Sequence, residues 1–400
     1  MKIAIIGGGA SGLMAGGELA KKGFQVTIFD GNEKAGKKIY ITGKGRCNVT
    51  NNCDIDEFKD NIINGEKFMF SSLNLFPPQK TMEFFEDLGT KLKVERGNRV
   101  FPASDKASDI TKALVKNASS CDFHFEEKVL NIEKQDDHFV LTTEINKYKF
   151  DRVVIATGGK SYPATGSKGD GYKFAKNFGH EIIKPHGALV PIKLKNKFVG
   201  DLEGISLKNV SLNAKIGGKN KSLFGEMLFT SNAISGPIAL SMSSFIGQEK
   251  NVSLSIDLKP ALSIEQLENR VLRDFDNNKN NNISTIMRGL LPERLAKVFL
   301  DRLKLSYDKK VNAITKEVRE KIVVLLKNFT LDFEELYPVE TGIVTSGGVS
   351  LKEVNPKTME SKLVKGLYFV GEVLDVDCLT GGFNLQVAFS TAYACAYNLQ

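Results

Sequence analysis

The N-terminal segment reads Lys2-Ile3-Ala4-Ile5-Ile6-Gly7-Gly8-Gly9-Ala10-Ser11-Gly12 and indicates the fold class of the chain. Its apolar residues predict a short β-strand, its glycines predict a tight turn, and residues 11–22 predict a helix. Residues 25–29 then alternate in hydrophobicity, which is typical of a second strand. Strand, turn, helix and strand in this order predict an α/β fold with a parallel, doubly wound sheet.

The glycines of this turn have the G-x-G-x-x-G spacing of a dinucleotide-binding site. Gly7 permits the tight turn, Gly9 lets a pyrophosphate approach the backbone, and Gly12 lets the helix pack on the strand. The start of the helix, at Ala10 and Ser11, offers unpaired N–H groups and a partial positive charge to phosphates.

An acidic residue follows the turn at the distance that this kind of site requires. Asp30 ends the second predicted strand, 18 residues after Gly12, where a carboxylate binds a ribose hydroxyl. The alternative is a glycine-rich turn with a coincidental Asp. Because strand, turn, helix and acid occur together, the sequence favours a dinucleotide site.

Length and composition limit the class of protein. The chain has 400 residues, of which 42% are hydrophobic and 26% charged, values that exclude disordered and collagen-like proteins. Five cysteines are too few for a disulfide scaffold, and no apolar run approaches the ~18 residues of a membrane span. We expect a cytoplasmic protein with reduced thiols. The net charge of +8 permits an anionic ligand, an RNA partner or a membrane surface, and it selects none of them.

The sequence pattern changes at about residue 190. Residues 191–260 show short alternating strands with Gly and Asn turns, and residues 261–342 show mainly helical patterns, including a single helix predicted over 283–303. We predict a discontinuous domain, 1–190 and 343–400, interrupted by an inserted domain. Glycine clusters beside β-like runs at both ends of the chain indicate one site built from distant segments.

Two later segments favour FAD over NAD as the dinucleotide. An NAD enzyme completes its site within one contiguous Rossmann unit. Here residues 153–159 and 366–372 resemble the strands that pass the nucleotide and the ribityl chain in flavoproteins, and a long cofactor needs such distant closure. No second G-x-G-x-x-G is present, so NAD(P)H would donate electrons without a separate domain of its own. No His precedes residue 124, so we expect the FAD to be non-covalent.

A longer signature makes the resemblance specific. The stretch Lys37-Lys38-Ile39-Tyr40-Ile41-Thr42-Gly43-Lys44-Gly45-Arg46-Cys47-Asn48-Val49-Thr50-Asn51 resembles the BaiN-like, aminoacetone-oxidase-type FAD-binding flavoproteins. Further stretches match that family in the same order over nearly the whole chain: 99–102, 161–167, 169–172, 345–349, 371–377 and 381–386. The resemblance implies a Rossmann-type FAD-binding domain with an inserted domain that has a β-barrel-like part and a helical part.

The resemblance also implies which residues contact FAD. The pyrophosphate would lie on the N-terminal turn, the adenosine ribose on Asp30, and the adenine on the backbone of Val129. The ribityl chain and the flavin ring would lie among Gly371, Glu372, Asp375, Gly382, Phe383, Asn384, Leu385 and Gln386. The other predicted contacts are Lys38, Gly45, Arg46, Cys47, Thr157, Gly158 and Gly159. The N-terminus of the last helix, directed at the flavin, would stabilise its anionic reduced form.

The neighbouring residues Arg46 and Cys47 are the candidates for a catalytic role. Cys47 and Cys53 are separated by five residues, whereas flavin disulfide reductases separate their redox pair by four. Three alternatives stay open: a redox disulfide, a buried or flavin-adjacent Cys47, and incidental thiols. Arg46 either neutralises an anion of the flavin or substrate, or fixes its loop. The four His residues have no metal-ligand spacing with Cys, so no metal is expected.

The main functional hypothesis is an oxidoreductase that uses one non-covalent FAD on an unidentified small organic substrate. One alternative is a flavoprotein acting on tRNA or RNA, suggested by the net charge of +8. Another is a non-catalytic flavin carrier or sensor. We expect neither a nucleic-acid partner nor a membrane partner. The sequence leaves the substrate, the electron donor and the oligomeric state open.

Overall fold

The computed structural model describes residues 1–400 and divides into two compact units. The first unit comprises Met1–Ala188 and Pro338–Gln400, and the second comprises Leu189–Tyr337. We keep as a proposal that the second unit is an insertion into the first. None of the helices combines the length and apolar character needed to cross a bilayer.

Most strands and helices of the first unit come before the second unit in the sequence. The strands are β1 (Lys2–Ile6), β2 (Gln25–Asp30), β3 (Thr50–Asn51), β4 (Ile62–Asn64), β5 (Leu92–Glu95), β6 (Arg99–Pro102), β7 (Asp122–Phe125), β8 (Val129–Gln135), β9 (His138–Thr143), β10 (Lys147–Phe150), β11 (Arg152–Ile155) and β12 (Ile182–Ala188). The helices are α1 (Ala10–Lys21), α2 (Ile55–Lys59), α3 (Glu66–Leu75), α4 (Pro78–Asp87), α5 (Ala107–Asn117) and α6 (Asp170–Asn177).

The second unit and the end of the chain follow. The second unit contains β13 (Ile192–Leu194), β14 (Ser206–Ile216), β15 (Lys219–Phe229), β16 (Ala233–Ser235), α7 (Pro237–Ile246), β17 (Val252–Asp257), α8 (Ile264–Asp276), α9 (Ile283–Leu290), α10 (Glu293–Arg302), α11 (Lys316–Lys327), β18 (Phe329–Leu331) and β19 (Phe333–Leu336). The chain then completes the first unit with β20 (Val344–Val349), β21 (Leu367–Phe369), β22 (Asp377–Cys378) and α12 (Phe383–Asn398).

A five-stranded sheet forms the centre of the first unit, in the order β21-β11-β1-β2-β7. All of its pairings are parallel, which confirms the predicted α/β class. Ile3, Ala4 and Ile5 of β1 are fully buried, as expected for a parallel strand with both faces covered. Ile6 pairs with Phe29 on β2 and with Ile155 on β11. The carboxyl ends of these strands therefore lie at one edge of the sheet, where α/β folds bind ligands.

Two short antiparallel pairings bring the C-terminal segment against earlier parts of the first unit. Strand β20 pairs with β12, and β22 pairs with β4. Gly348 of β20 has φ +146°, and a Cβ added there would lie 2.6 Å from the carbonyl oxygen of Val373. This close approach explains why the segment at 347–348 is glycine-rich.

The second unit has its own core under a seven-stranded antiparallel sheet with the order β18-β17-β14-β15-β16-β13-β19. Strands β18 and β19 are its edges, so the part expected to be barrel-like is an open sheet and no closed barrel forms. Helix α8 begins with a capping box between Ser263 and Gln266. The helix predicted over 283–303 is two helices, α9 and α10, because Pro292 lies between them and is poorly tolerated within a helix.

Candidate functional site

The N-terminal turn holds α1 against β1 and leaves open space at its middle glycine. A Cβ added at Gly12 would lie 1.9 Å from the carbonyl oxygen of Gly7, whose own φ is +107°. A Cβ added at Gly9 has no atom within 4 Å. Gly9 directly precedes Ala10 and Ser11 in the first turn of α1, where helical N–H groups lack intrahelical partners. This combination fits a phosphate group in front of the helix.

Asp30 fixes the turn to the end of β2. Its Oδ2 accepts a hydrogen bond from the Gly8 N–H at 2.8 Å, and its Oδ1 accepts two from Asn32 at 2.8 Å. A carboxylate has further lone pairs, so a ribose hydroxyl remains a feasible additional donor. The Glu127 N–H donates to the Asp30 carbonyl at 3.2 Å, which places the buried Val129, at the start of β8, close to the end of β2.

Gly371 brings the C-terminal segment to the N-terminal turn. A Cβ added at Gly371, where φ is +76°, would lie 2.5 Å from the Ser11 Oγ. The Gly371 N–H donates to the Thr391 Oγ1 of α12 at 3.0 Å. Residues 360 positions apart in the sequence, Ser11 and Gly371, therefore meet at van der Waals distance. Both were predicted from the sequence as cofactor contacts.

Successive residues of β20 each bind one carboxyl group of the segment 371–378. The Thr345 N–H donates to the Glu372 Oε1 at 2.9 Å, and the Ser346 Oγ donates to the Asp377 Oδ1 at 2.8 Å. The Gly347 backbone donates to the Asp375 carboxyl, whose pKa is raised by burial. Strand β20 thereby holds three acidic side chains of the segment 371–378.

Lys38 balances the charge of Glu372. Its Nζ lies 2.6 Å from the Glu372 Oε2 and 2.5 Å from the Ser161 Oγ. The Ser161 hydroxyl also donates to the Glu372 Oε1 at 2.9 Å. A Cβ added at Gly159 would lie 2.3 Å from the Thr345 Oγ1. The structure therefore brings together three predicted contacts, Lys38, Gly159 and Glu372, with two residues that we did not predict individually.

Two further predicted contacts, Thr157 and Gly158, lie next to Gly159 in the loop after β11, and Gly45 lies in a separate loop. Gly158 has φ +71°, and the Thr157 Oγ1 would lie 2.1 Å from a Cβ added at Gly171. Gly45 lies in an exposed loop with φ +85°, where an added Cβ would meet no atom closer than 3.9 Å.

Arg46 is occupied by acidic and aromatic neighbours. Its guanidinium lies 2.5 Å from both Glu95 and Asp105 and 4.2 Å from the centre of the Phe101 ring. The hydrogen bond to Glu95, which has the larger effect, and the hydrogen bond to Asp105 raise the pKa of Arg46. Because two carboxylates already neutralise this charge, the geometry favours the interpretation that Arg46 fixes its loop.

Cys47 is placed in a dry environment. Its side chain is fully buried, its φ is +59°, and burial raises the pKa of the thiol to about 12. Cys53 is also buried, and its pKa is likewise raised to about 12, first by burial. All five cysteines are free thiols. The two cysteines form no disulfide, and neither has the thiolate character of a nucleophile.

We expect all of the thiols to be unreactive in the native protein. Because all five cysteines are buried and free, an aromatic disulfide reagent at mildly alkaline pH should label fewer than one thiol per chain. After unfolding in guanidinium chloride without a reductant it should label five. A count of three after unfolding would instead reveal a disulfide formed in solution.

The N-terminus of α12 is fixed on β3. Gly382, the residue before the helix, has φ +99°, and an added Cβ would lie 2.3 Å from the Thr50 carbonyl oxygen. The Thr50 hydroxyl donates to the Gln386 Oε1 at 2.6 Å, and the Gln386 amide donates to the Phe76 carbonyl at 3.0 Å. Both ends of the Gln386 side-chain amide are therefore hydrogen-bonded within the protein. The backbone N–H groups in the first turn of α12 remain available to a ligand.

The other predicted residues of this helix start differ in role. Asn384 bonds the backbone of Cys378 through both ends of its amide, at 3.0 and 2.9 Å. Phe383 is buried with its ring 5.0 Å from that of Phe58, and Leu385 is half-buried. These side chains shape the loop, so any cofactor contact from Asn384 would come mainly from its backbone.

Buried polar atoms without a partner concentrate in the segments expected to contact FAD. Such an atom costs about 1–3 kcal/mol when it stays unpaired. Of the nine in the chain, five lie in the family signature stretches or beside them: Asn48 Oδ1, Asn51 Oδ1, Thr157 Oγ1, Tyr172 Oη and Asp377 Oδ2. In a neutral acid Asp377 Oδ2 is an uncharged carbonyl oxygen, so the support for a cofactor comes from the other four. A polar group bound there would supply partners, so the residues present fit a dinucleotide cofactor.

Sequence reasoning missed several residues of this site. Ser161, Thr345, Ser346 and Asp377 lie within stretches that resemble the family, but each depends on a partner far away in the sequence. Asn51 is similar, because its amide donates to the Gly381 and Gly97 carbonyls at 3.1 Å. The available signal was the presence of polar residues within otherwise apolar and glycine-rich motifs.

The turn, the strand ends and the C-terminal motif together define a Rossmann-type FAD-dependent oxidoreductase. The model of the HI0933-like protein Rossmann domain matches residues 1–398, and the chain belongs to this family. This confirms the resemblance found in the sequence, since the BaiN-like proteins are part of the same family.

Two curated relatives match over nearly their whole lengths. The ribosomal RNA dihydrouridine synthase of Haemophilus influenzae is 33% identical over 99% of this chain and 97% of that protein. The 3-dehydro-bile acid delta(4,6)-reductase of Clostridium scindens is 30% identical over 98% of this chain and 97% of that protein. Among solved structures, 3-ketosteroid delta1-dehydrogenase from Sterolibacterium denitrificans covers 99% of this chain and 98% of its own, with 11% identity and a TM-score of 0.50. That likeness concerns the fold alone.

Proposed function

We propose that this protein uses non-covalent FAD to reduce a C=C bond conjugated to a carbonyl group. The names of the two curated relatives support one reaction type on different substrates. The uracil ring has a C=C bond next to a carbonyl, and saturation of that bond gives dihydrouridine. A 3-oxo bile acid with delta(4,6) unsaturation also has C=C bonds conjugated to its carbonyl. The similarity of this chain to both proteins over nearly its whole length is best explained if all three catalyse this type of reaction.

The observation that supports an FAD site best is the convergence of distant segments within the first unit. The open space at Gly9 and the start of α1 would hold the pyrophosphate, while Lys38 and Glu372 would lie along the ribityl side. When bound, FAD supplies two-electron oxidation and reduction. The chain contributes the partial positive charge at the start of α12, which lowers the cost of negative charge nearby.

We propose a small organic carbonyl compound as the substrate, NAD(P)H as the electron donor and the cytoplasm as the location. The second candidate substrate is uridine in ribosomal RNA. It is favoured by the name of the Haemophilus influenzae relative and by the net charge of +8, since a basic protein attracts polyanions. A flavin carrier without a reaction of its own is the remaining alternative.

An anaerobic substrate screen tests this proposal. The holoprotein is reduced with NADPH or NADH and then mixed with a 3-oxo-4-ene steroid, with cyclohexenone or with ribosomal RNA lacking dihydrouridine. We expect a conjugated compound to restore the absorbance of oxidised flavin, with a product heavier by two hydrogen atoms. The matched control is the saturated ketone of the same skeleton, which should leave the flavin reduced.

The outcomes separate the candidates. Reoxidation by ribosomal RNA, with no reoxidation by either ketone, would move the second candidate to first place. Reoxidation by oxygen alone would contradict the proposed reduction of a conjugated bond and favour an oxidase or a carrier.

A further inference from the structure

Asp377 is a buried acid in the middle of the C-terminal motif. Strand β22, where it lies, pairs with β4, and its side chain has no exposed surface. Its Oδ1 accepts a hydrogen bond from the Ser346 Oγ at 2.8 Å, whereas its Oδ2 has no partner. An ionised carboxylate with a bare oxygen in such a place is unfavourable. The geometry therefore favours the neutral, protonated acid.

No positively charged side chain forms a hydrogen bond or ion pair with the Asp377 carboxyl. Strands β4 and β20 contain no titratable side chain, and neither does the first turn of α12. On its own segment the neighbours are Asp375 and the buried Cys378 thiol. On β12, His186 pairs with Ser346 and acts electrostatically on Asp375. Burial raises the pKa of Asp377 to about 7, the charge of Asp375 adds to this, and the Ser346 bond opposes it.

Ser346 is the one hydroxyl bonded to this acid, and it lies between residues that bind the predicted flavin contacts. Its neighbour Thr345 bonds Glu372, and its neighbour Gly347 bonds Asp375. Ser346 is 9% exposed, whereas Asp377 is fully enclosed. When the proton of the neutral acid is on Oδ1, this hydrogen bond reverses: the Asp377 O–H donates to the Ser346 Oγ, and the Ser346 hydrogen is free for a group on its other side. A proton stored on Asp377 Oδ1 therefore has one bonded route outward, through the Ser346 hydroxyl.

We propose that Ser346 donates a proton to the bound substrate and that Asp377, as a positioning residue behind it, stores and restores that proton. This inference rests on the proposed function. With reduced FAD bound, the β-carbon would receive a hydride, which is two electrons and one proton. The C=C π bond would break, and the Ser346 O–H bond would be exchanged for a C–H bond at the α-carbon. The Asp377 O–H bond then breaks to restore the Ser346 hydroxyl. The carboxylate that remains takes a proton from water after the product leaves.

Rapid mixing of the reduced holoprotein with a conjugated ketone tests this route. We expect Ser346→Ala and Asp377→Asn to lower the rate constant of substrate reduction by at least about 100-fold, the low end for loss of a general acid. Flavin content and the rate of flavin reduction by the donor should stay unchanged. In the wild type the rate constant should fall as the pH rises through about 7, and in Asp377→Asn this pH step should vanish. Ser72→Ala, a buried serine on α3, is the matched control and should behave as the wild type.

A second readout does not depend on turnover. A carboxyl group whose folded pKa lies above its unfolded pKa binds more protons in the native state, so its contribution to stability is lost as pH rises from about 4 to about 7. The Tm of Asp377→Asn relative to the wild type should therefore increase over that range. A constant Tm difference would show an ionised Asp377 and overturn the inference.

The results also separate this inference from the function on which it rests. If the wild type reduces no conjugated substrate, the proposed function fails and the proton route fails with it. If the wild type is active and Ser346→Ala or Asp377→Asn reduces substrate at the wild-type rate, the inference alone is overturned.

Discussion

Replacing Gly9 with leucine is expected to give a folded protein that does not bind FAD. Gly9 has φ −81°, which any residue adopts, and a Cβ there meets no atom within 4 Å. The fold therefore tolerates the side chain. The leucine would instead fill the space in front of α1, which the pyrophosphate needs. We expect FAD affinity to fall on the order of 1000-fold, about 4 kcal/mol, so that the purified protein is colourless.

The measurement is the amount of FAD released per chain by acid precipitation, together with the Tm. Gly289→Leu is the matched control, because Gly289 also has open space at its Cβ but lies on α9 of the second unit. It should retain FAD and gain up to about 1 kcal/mol from helix propensity. Wild-type FAD content in Gly9→Leu, or release of FMN instead of FAD, would contradict the assignment of this turn.

The glycine turn was predictable because its causes are local. Gly12 is required by its contact with Gly7, five residues earlier, and Gly7 by its own φ of +107°. The spacing of such local requirements is visible in the sequence, although the close approach of Gly7 to Ala156 is not. The parallel sheet was predictable for the same reason, since strand, turn and helix each have their own periodicity. The division of the 283–303 helix was missed because the periodicity was read through Pro292, although proline is a local signal.

The polar network of the site was not predictable in the same way. Arg46 was left open between two roles because its partners Glu95 and Asp105 lie 49 and 59 residues away and have no pattern of their own. Glu372 was predicted as a flavin contact, but its bonds to Lys38 and Thr345 depend on how three segments meet. Long-range pairing leaves no periodic trace in one sequence, whereas local sterics do.

Gly382→Ala is expected to damage both the fold and the cofactor site. The added Cβ would lie 2.3–2.8 Å from three backbone atoms of Thr50, at a φ of +99° that alanine rarely adopts. No flexible side chain is available to yield, so either β3 or the start of α12 must move. We expect the free energy of unfolding to fall by about 3–5 kcal/mol, from overpacking and backbone strain together.

Gly23→Ala separates strain from collision. Gly23 also has a positive φ, +84°, but a Cβ there meets no atom within 4 Å, so it should cost only about 1 kcal/mol. Denaturant unfolding of both variants gives the difference, and FAD titration shows whether the loss reaches the cofactor. Because Gly382 joins Thr50 of the signature stretch to α12, the helix whose start is proposed to be directed at the flavin, its displacement should also weaken FAD binding. Equal destabilisation in the two variants would mean that α12 is not fixed by this contact, and its start would then not be a rigid part of the flavin site.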